Sequence, residues 1–500
     1  MSASWHAGVL TLAATSRRCR PSAKWKLLGD AGSTRCICQV VERGAQALSR
    51  ELQNGDMVVV ALTPLYPGSF RAARTSVPRC SKCVAKGLGK GLERKGIRFV
   101  LLPLFGWTRL ALALEQETNM SSLDDVLTRA VSTGAVPGLV AMTGSLGGVT
   151  WSGAAGDSAP GRPMTPDTVF RIFSMTKGVG STAAMILADR GKLDLDTPVE
   201  RILPDFARIQ VLEGFDGDTP RLRAPRTRAT IRQLATHTSG LVYGSWNAAV
   251  AHWQSVTGHP SILSGLKSSL FYPMVFDPGT RWDYGIGIDW LCQAVEAVDG
   301  RPIEKYCQDE IFDPLGMTST AFECEGPLAA RLASVSARGA DGRFAPFEIA
   351  PPPHPEFYGM GNALYSTAGD YMRFLRMFLN KGALDGRRVL SEKGVETMLA
   401  NHIGDLRVGK LTTMVPTVTA DVDVFPETPK THSLGFMRVE EDVPGMRSAG
   451  SQSWAGVLNT HYWFDPARDV AGVIMTQTLP FAEAPFMKVY EEFERTVYAR

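Results

Sequence analysis

A serine and a lysine stand three residues apart in Ser174-Met175-Thr176-Lys177, ahead of apolar positions Val179, Ala183, Ile186 and Leu187 at helical spacing. The spacing predicts that Ser174 opens a helix running to about Arg190, with hydroxyl and ammonium on one face. At the positive end of the helix dipole, a serine could carry an oxyanion formed on its acyl group. A hydroxyl is a poor nucleophile until a neighbouring base takes its proton, and a lysine one turn away is placed to assist. The pattern also occurs at Ser264-Gly265-Leu266-Lys267, but no comparable helix follows there, and Ser264 reads as surface. Ser174 instead follows the strand-like run Thr168 to Phe173.

Two later segments belong with it. Asp277-Pro278-Gly279-Thr280-Arg281-Trp282-Asp283-Tyr284 is a turn delivering a tyrosine ahead of the helical-looking stretch Ile288 to Val295. Gly450-Ser451-Gln452-Ser453-Trp454-Ala455-Gly456-Val457 opens a hairpin that runs through Tyr462-Trp463-Phe464-Asp465-Pro466 to Val473-Ile474-Met475. A lysine near its ordinary pKa of ~10.4 and a tyrosine near ~10 can share one proton when packed together out of water. Lys177 and Tyr284 are that pair, and the residues leave open which of them holds the proton.

The ordered trio resembles the serine β-lactamase and penicillin-binding-protein superfamily. More narrowly, it is similar to the class C-like esterase and transesterase branch, including family VIII carboxylesterases. Leu234-Ala235-Thr236-His237-Thr238-Ser239-Gly240-Leu241 and Ala363-Leu364-Tyr365-Ser366-Thr367-Ala368-Gly369-Asp370 support the resemblance, which covers about residues 120 to 500. The stretch from Val211 to His237 also resembles fungal monacolin transesterases. The resemblance implies an acyl-enzyme on Ser174 and an oxyanion hole at the backbone N–H groups of Ser174 and Val457. It also implies substrate contacts from Trp454, Ala455 and Gly456, where small residues would let a strand approach the acyl carbonyl closely. Gly285 and Ile286 follow Tyr284, so the Tyr-x-Asn of lactam-hydrolysing enzymes lacks its asparagine, and Trp454-Ala455-Gly456 stands where they carry Lys-Thr-Gly. These departures favour esters over β-lactams. The expected function is a serine hydrolase of carboxylic esters with short or medium acyl chains. The alternatives are an acyltransferase, a β-lactamase or D-Ala peptidase, and a catalytically idle binding protein.

Other chemistries lack their residues. The chain has no Gly-x-Ser-x-Gly elbow and no His-Glu-x-x-His pair. In Gly404-Asp405-Leu406-Arg407-Val408-Gly409-Lys410, Leu411 stands where a phosphate loop needs Ser or Thr. His237 is expected to pack and hydrogen-bond rather than catalyse. No metal or organic cofactor is implied, and the partner expected is a small-molecule ester, with no nucleic acid, no stable membrane insertion and an unspecified oligomeric state.

The elements that must position these groups form an α/β (α+β) fold. An antiparallel sheet is expected from strands near Leu139 to Thr143 and Gly148 to Gly153 plus the C-terminal hairpin. Helices flank it, including one from about Ala482 to Tyr498, and a helix-rich lobe spans about residues 176 to 340. Phe215 to Arg228 and Ala350 to Phe357 read as loops at the cleft mouth.

The average charge of +3 hides a split: residues 1 to 119 carry a net +11 and the remainder a net −8. Five of the eight cysteines, at 19, 36, 38, 80 and 83, lie in that basic segment, and a capped helix start, Ser121-Ser122-Leu123-Asp124-Asp125, follows Met120. The first 119 residues are read as a poorly ordered extension or a mis-assigned gene start, with 120 to 500 the catalytic domain. Cytoplasmic residence is expected; export is the alternative if the basic and apolar segment at 90 to 113 is a signal. If that segment contributes nothing to the core, a chain begun at Met120 should keep its kcat and lose under about 0.5 kcal/mol of stability. Aggregation or inactivity of that chain in a thermal-unfolding and turnover comparison would contradict this.

Overall fold

A computed structural model describes residues 122–500. The readings made for 1 to 119, with the five cysteines, the 90 to 113 segment and Met120, lie outside the described residues. The described chain opens with helix α1 (Leu123–Ser132), capped as expected. The Ser122 hydroxyl accepts the Asp125 N–H at 3.1 Å and the Asp125 carboxylate accepts the Ser122 N–H at 3.1 Å, satisfying two donors that a helix start leaves free. Leu123, Val126, Leu127 and Ala130 form its buried stripe.

Strands β1 (Gly138–Ser145), β2 (Gly148–Ala159) and β3 (Arg162–Pro163) follow. Helices α2 (Thr176–Asp189), α3 (Gly287–Asp299) and α4 (Ala368–Leu379) come from the long middle of the chain. The C-terminal part supplies β4 (Lys430–His432), β5 (Met437–Val439), β6 (Gln452–Gly456), β7 (Thr460–Asp465), β8 (Val470–Met475) and α5 (Ala484–Tyr498). These strands form one antiparallel sheet in the order β4-β5-β6-β7-β8-β1-β2-β3. Because β8 pairs with β1, with Ile474 opposite Ala141, the two ends of the described chain meet in the middle of the sheet.

Side chains alternate across the strands and build a core on each face. Leu139, Ala141, Trp463 and Ile474 pack against α1 and α5. Val140, Met142, Tyr462, Phe464, Val473 and Met475 join the larger core with α2, α3 and α4. This two-faced burial explains why β1 reads as a continuous apolar run. α2 is buried from Thr176 to Leu187, as a central helix must be.

Two local expectations are corrected. Phe215 to Arg228 is not all loop: Val211–Asp216 pairs antiparallel with Thr219–Arg223 around Gly217, a hairpin masked in the sequence by its polar residues. The run Thr168 to Phe173 contributes only a two-residue strand, Phe170–Arg171, paired with Tyr365–Ser366.

On the outer face, Arg447 and Glu494 are both fully buried and bonded twice, Nε to Oε1 at 2.8 Å and Nη2 to Oε2 at 2.6 Å. The Tyr490 hydroxyl also accepts from Arg447 Nη2, at 2.8 Å. The pair ties the segment before β6 to α5. Removing one partner strands the other charge in the core, so Glu494→Gln should cost about 3–5 kcal/mol in urea unfolding while turnover per folded molecule is unchanged. A loss below about 1 kcal/mol would show that the pair is not holding these elements together.

Candidate active site

The polypeptide enters the site through a constrained turn. Ser174 lies in a 3-10 turn, Phe173–Met175, immediately before α2, so it precedes the α-helix rather than opening it as expected. The cause is upstream: Phe173 has φ +41°, a left-handed conformation that an aromatic residue adopts only when its surroundings impose it. Those surroundings come from three elements. Thr460 Oγ1 donates to the Ile172 carbonyl at 3.3 Å, Tyr371 OH donates to the Met175 carbonyl at 2.8 Å, and the Leu364 N–H donates to Thr176 Oγ1 at 3.2 Å.

One helical turn on, Lys177 is wholly buried. Its ammonium has three protons and finds three acceptors: Ser174 Oγ at 3.2 Å, Tyr243 OH at 3.0 Å and the Gly361 carbonyl at 3.0 Å. Tyr284 OH donates to Ser174 Oγ at 2.7 Å from the other side. The ammonium also stands 5.0 Å from the Tyr284 ring centre and 5.2 Å from that of Tyr243, within cation–π range.

Tyr284 is held by the segment around His237. The Tyr243 N–H donates to the Tyr284 carbonyl at 3.0 Å and the Asp283 N–H to the His237 carbonyl at 3.0 Å. Gly285 makes this approach possible: a Cβ there would stand 1.8 Å from the Leu241 carbonyl oxygen. Ile286, where lactam-hydrolysing relatives would need asparagine, is fully buried in the core.

The third motif lies on β6. Trp454 donates its indole N–H toward Tyr284 OH at 3.4 Å, with the rings edge-on at 5.0 Å. Gly456 passes so close to the serine turn that a Cβ would fall 2.2 Å from the Ile172 carbonyl oxygen. Trp454, Ala455 and Val457 line a cavity of about 440 Å³ that also exposes Ser174 and Tyr284; Gly456 is behind this wall, spacing the strand from the turn. Ser264 sits in a separate turn, accepting the Leu266 N–H at 3.3 Å.

Behind Tyr284 lie two buried imidazoles. His237 packs edge-on to Tyr284 at 5.0 Å and to His432 at 5.1 Å, and stacks on Trp454 at 6.1 Å. Burial, with smaller contributions from His432 and Lys177, holds His237 well below the usual imidazole range, and burial pushes His432 down to about 4. Both are uncharged at neutral pH and furnish packing.

Tyr243, Gly361 and the buried Asp289 are the site residues the sequence did not disclose. Tyr243 lies two positions past the Leu234 to Leu241 motif, and that adjacency was its only signal. Burial pushes its phenol well above 10, so Tyr243 stays protonated and acts as a fixed dipole. Among the described residues no group of side chains is arranged to hold a metal ion, and no helix is long and apolar enough to cross a membrane. Tyr243→Phe deprives one ammonium proton of its acceptor, a loss of about 1–3 kcal/mol. It should lower kcat about tenfold or more with KM little changed. An unchanged kcat would show that Lys177 does not depend on this contact.

The Beta-lactamase family model matches residues 123–493. Lovastatin esterase of Penicillium rubens is 29% identical over 398 residues, covering 76% of this chain and 98% of the relative. Monacolin J acid methylbutanoyltransferase of Aspergillus terreus is 30% identical over 352 residues, covering 68% and 84%. The solved structure of unliganded simvastatin synthase from Aspergillus terreus superposes with a TM-score of 0.65 at 28% identity, over 75% of this chain and 97% of that one. The sheet, the helices on its two faces and these matches agree: the chain belongs to the Beta-lactamase family, in the company of esterases and acyltransferases.

Proposed function

We propose that the protein is a serine esterase that forms an acyl-enzyme on Ser174. The observation that carries this reading is the placement of one hydroxyl between a phenol at 2.7 Å and a buried ammonium at 3.2 Å, on the wall of a largely apolar cavity. In this reading the reactive form of the Lys177–Tyr284 pair holds one proton fewer than the ammonium and phenol together, and it takes the Ser174 proton as the serine oxygen attacks the ester carbonyl carbon. The N–H groups of Ser174 and Val457 receive the oxyanion. Collapse breaks the ester C–O bond, and Tyr284 returns the proton to the leaving alcohol. Water then repeats the sequence to release the acid. If an alcohol replaces water, the same intermediate delivers its acyl group instead; a transferase among the relatives supports keeping this second outcome.

The cavity wall suggests which ester fits. Trp246, Leu263, Trp282, Ile349, Leu411, Val424 and Met437 line it. Its one lysine at the wall, Lys430, is committed to Asp423 at 3.2 Å and to the carbonyls of Phe425 at 2.9 Å and Thr428 at 3.4 Å. No cation at the wall is left over for a substrate carboxylate among the described residues, which favours neutral, apolar esters over the anionic β-lactams.

Ser174→Ala should cut kcat for p-nitrophenyl butyrate about a thousandfold or more with the fold intact. Retention of more than about a tenth of the rate would sink the assignment. Lys177→Ala and Tyr284→Phe should each cost at least ~10²-fold, and the double variant far less than the product, since both serve one proton transfer. Nitrocefin turnover exceeding that of p-nitrophenyl butyrate in kcat/KM would reverse the substrate reading.

A further inference from the structure

Asp289 lies in the first turn of α3, among Ile288, Trp290 and Leu291, and is 1% exposed. A carboxyl in such a core is costly unless something compensates its charge. Its Oδ1 accepts the Gly361 N–H at 2.8 Å, and the carbonyl of the same Gly361 accepts from Lys177 Nζ at 3.0 Å. Its Oδ2 has no hydrogen-bond partner among the described residues. The packing leaves no slack: a Cβ on Gly361 would stand 2.8 Å from Asp289 Oδ2 and 2.9 Å from Tyr243 OH.

We propose that Asp289 is a positioning residue for the reaction, the counter-charge that keeps the Lys177 ammonium aimed at Ser174, coupled to it through both polar groups of Gly361. The proposal rests on the reading of Ser174, Lys177 and Tyr284 given above. The ionisable groups that face Asp289 are Lys177 from α2, Tyr243 and Tyr272 from the neighbouring loops, and Cys292 on its own helix. Burial first, and then the Asp289 charge among other contributions, pushes Tyr243, Tyr272 and Cys292 well above their ordinary values, so they stay neutral. Lys177 is then the cation that answers the carboxylate. Burial holds the Asp289 carboxyl above the usual carboxylate range, and the Lys177 charge offsets part of that rise, as two opposite charges sharing one enclosed region do.

The sign of the consequence is fixed. Removing a negative charge lets every nearby group release its proton more readily, so the ionisations of the Lys177–Tyr284 pair move to lower pH. Asp289→Asn keeps the shape and an oxygen for the Gly361 N–H while deleting the charge. With p-nitrophenyl butyrate, its kcat should fall about tenfold or more with KM within about twofold, and the pH–rate profile should shift acidward by about one unit or more. A merely structural role would lower activity without moving the profile.

The two readings fail separately. If wild-type protein has no esterase activity, or Ser174→Ala retains it, the reading of the site falls whatever Asp289 does. If that reading holds and the Asp289→Asn profile superposes on the wild type, the proposal for Asp289 is overturned. Should Asp289→Asn not fold, the full chain carrying Lys177→Met is examined by infrared spectroscopy at neutral pH. A protonated-carboxyl band absent from the wild type is expected there, because the buried carboxylate has lost its cation; no such band would overturn the proposal.

Discussion

The enclosed ammonium of Lys177 is the constraint around which the rest of the site is arranged. A charge taken fully out of water is tolerated only when each of its protons finds an acceptor. Here the acceptors come from three separate stretches of chain: the serine turn, Tyr243 and Gly361. The site therefore assembles only when these stretches close on one another. α2 supplies the lysine from the middle of the larger core, which fixes its stem, and the strained turn at Phe173 aims the serine back at it.

Around that charge the protein places groups that do not compete for it. His237 and His432 are held neutral by burial, and Tyr243 remains a phenol. Of the groups facing the cavity, Ser174 stands between Tyr284 and Lys177, bonded to both. The sheet has a second, mechanical part in this. Its strand β6 reaches the serine turn because Gly456 has no side chain to hold it off, and Tyr284 reaches the serine because Gly285 lets its segment press against Leu241.

Much of this was legible in the sequence where chemistry is local. Ser174 and Lys177 are one turn apart, and Tyr284 and Trp454 sit in turn and hairpin patterns that can be read without knowing the fold. The apolar run of β1, the amphipathic α5 and the Ser122 cap were likewise visible, since each depends on its own few residues. Tyr243, Gly361 and Asp289 were not, because their roles exist only through contacts across 66, 184 and 72 residues. Asp289 in particular looks like an ordinary first-turn acid of a helix until the packing shows that it never reaches water. The hairpin at Val211 to Arg223 escaped for the opposite reason, since beyond the buried Val211 and Leu212 its residues are partly or fully exposed and show no apolar alternation.

The account stands or falls on the serine, and mass spectrometry of the full chain after reaction with a fluorophosphonate addresses it directly. The account predicts a single phosphonyl adduct, mapping to the peptide that contains Ser174, formed much more slowly when Lys177 is replaced. An adduct on another residue, such as Ser264 or Ser453, or no adduct on active protein, would contradict it.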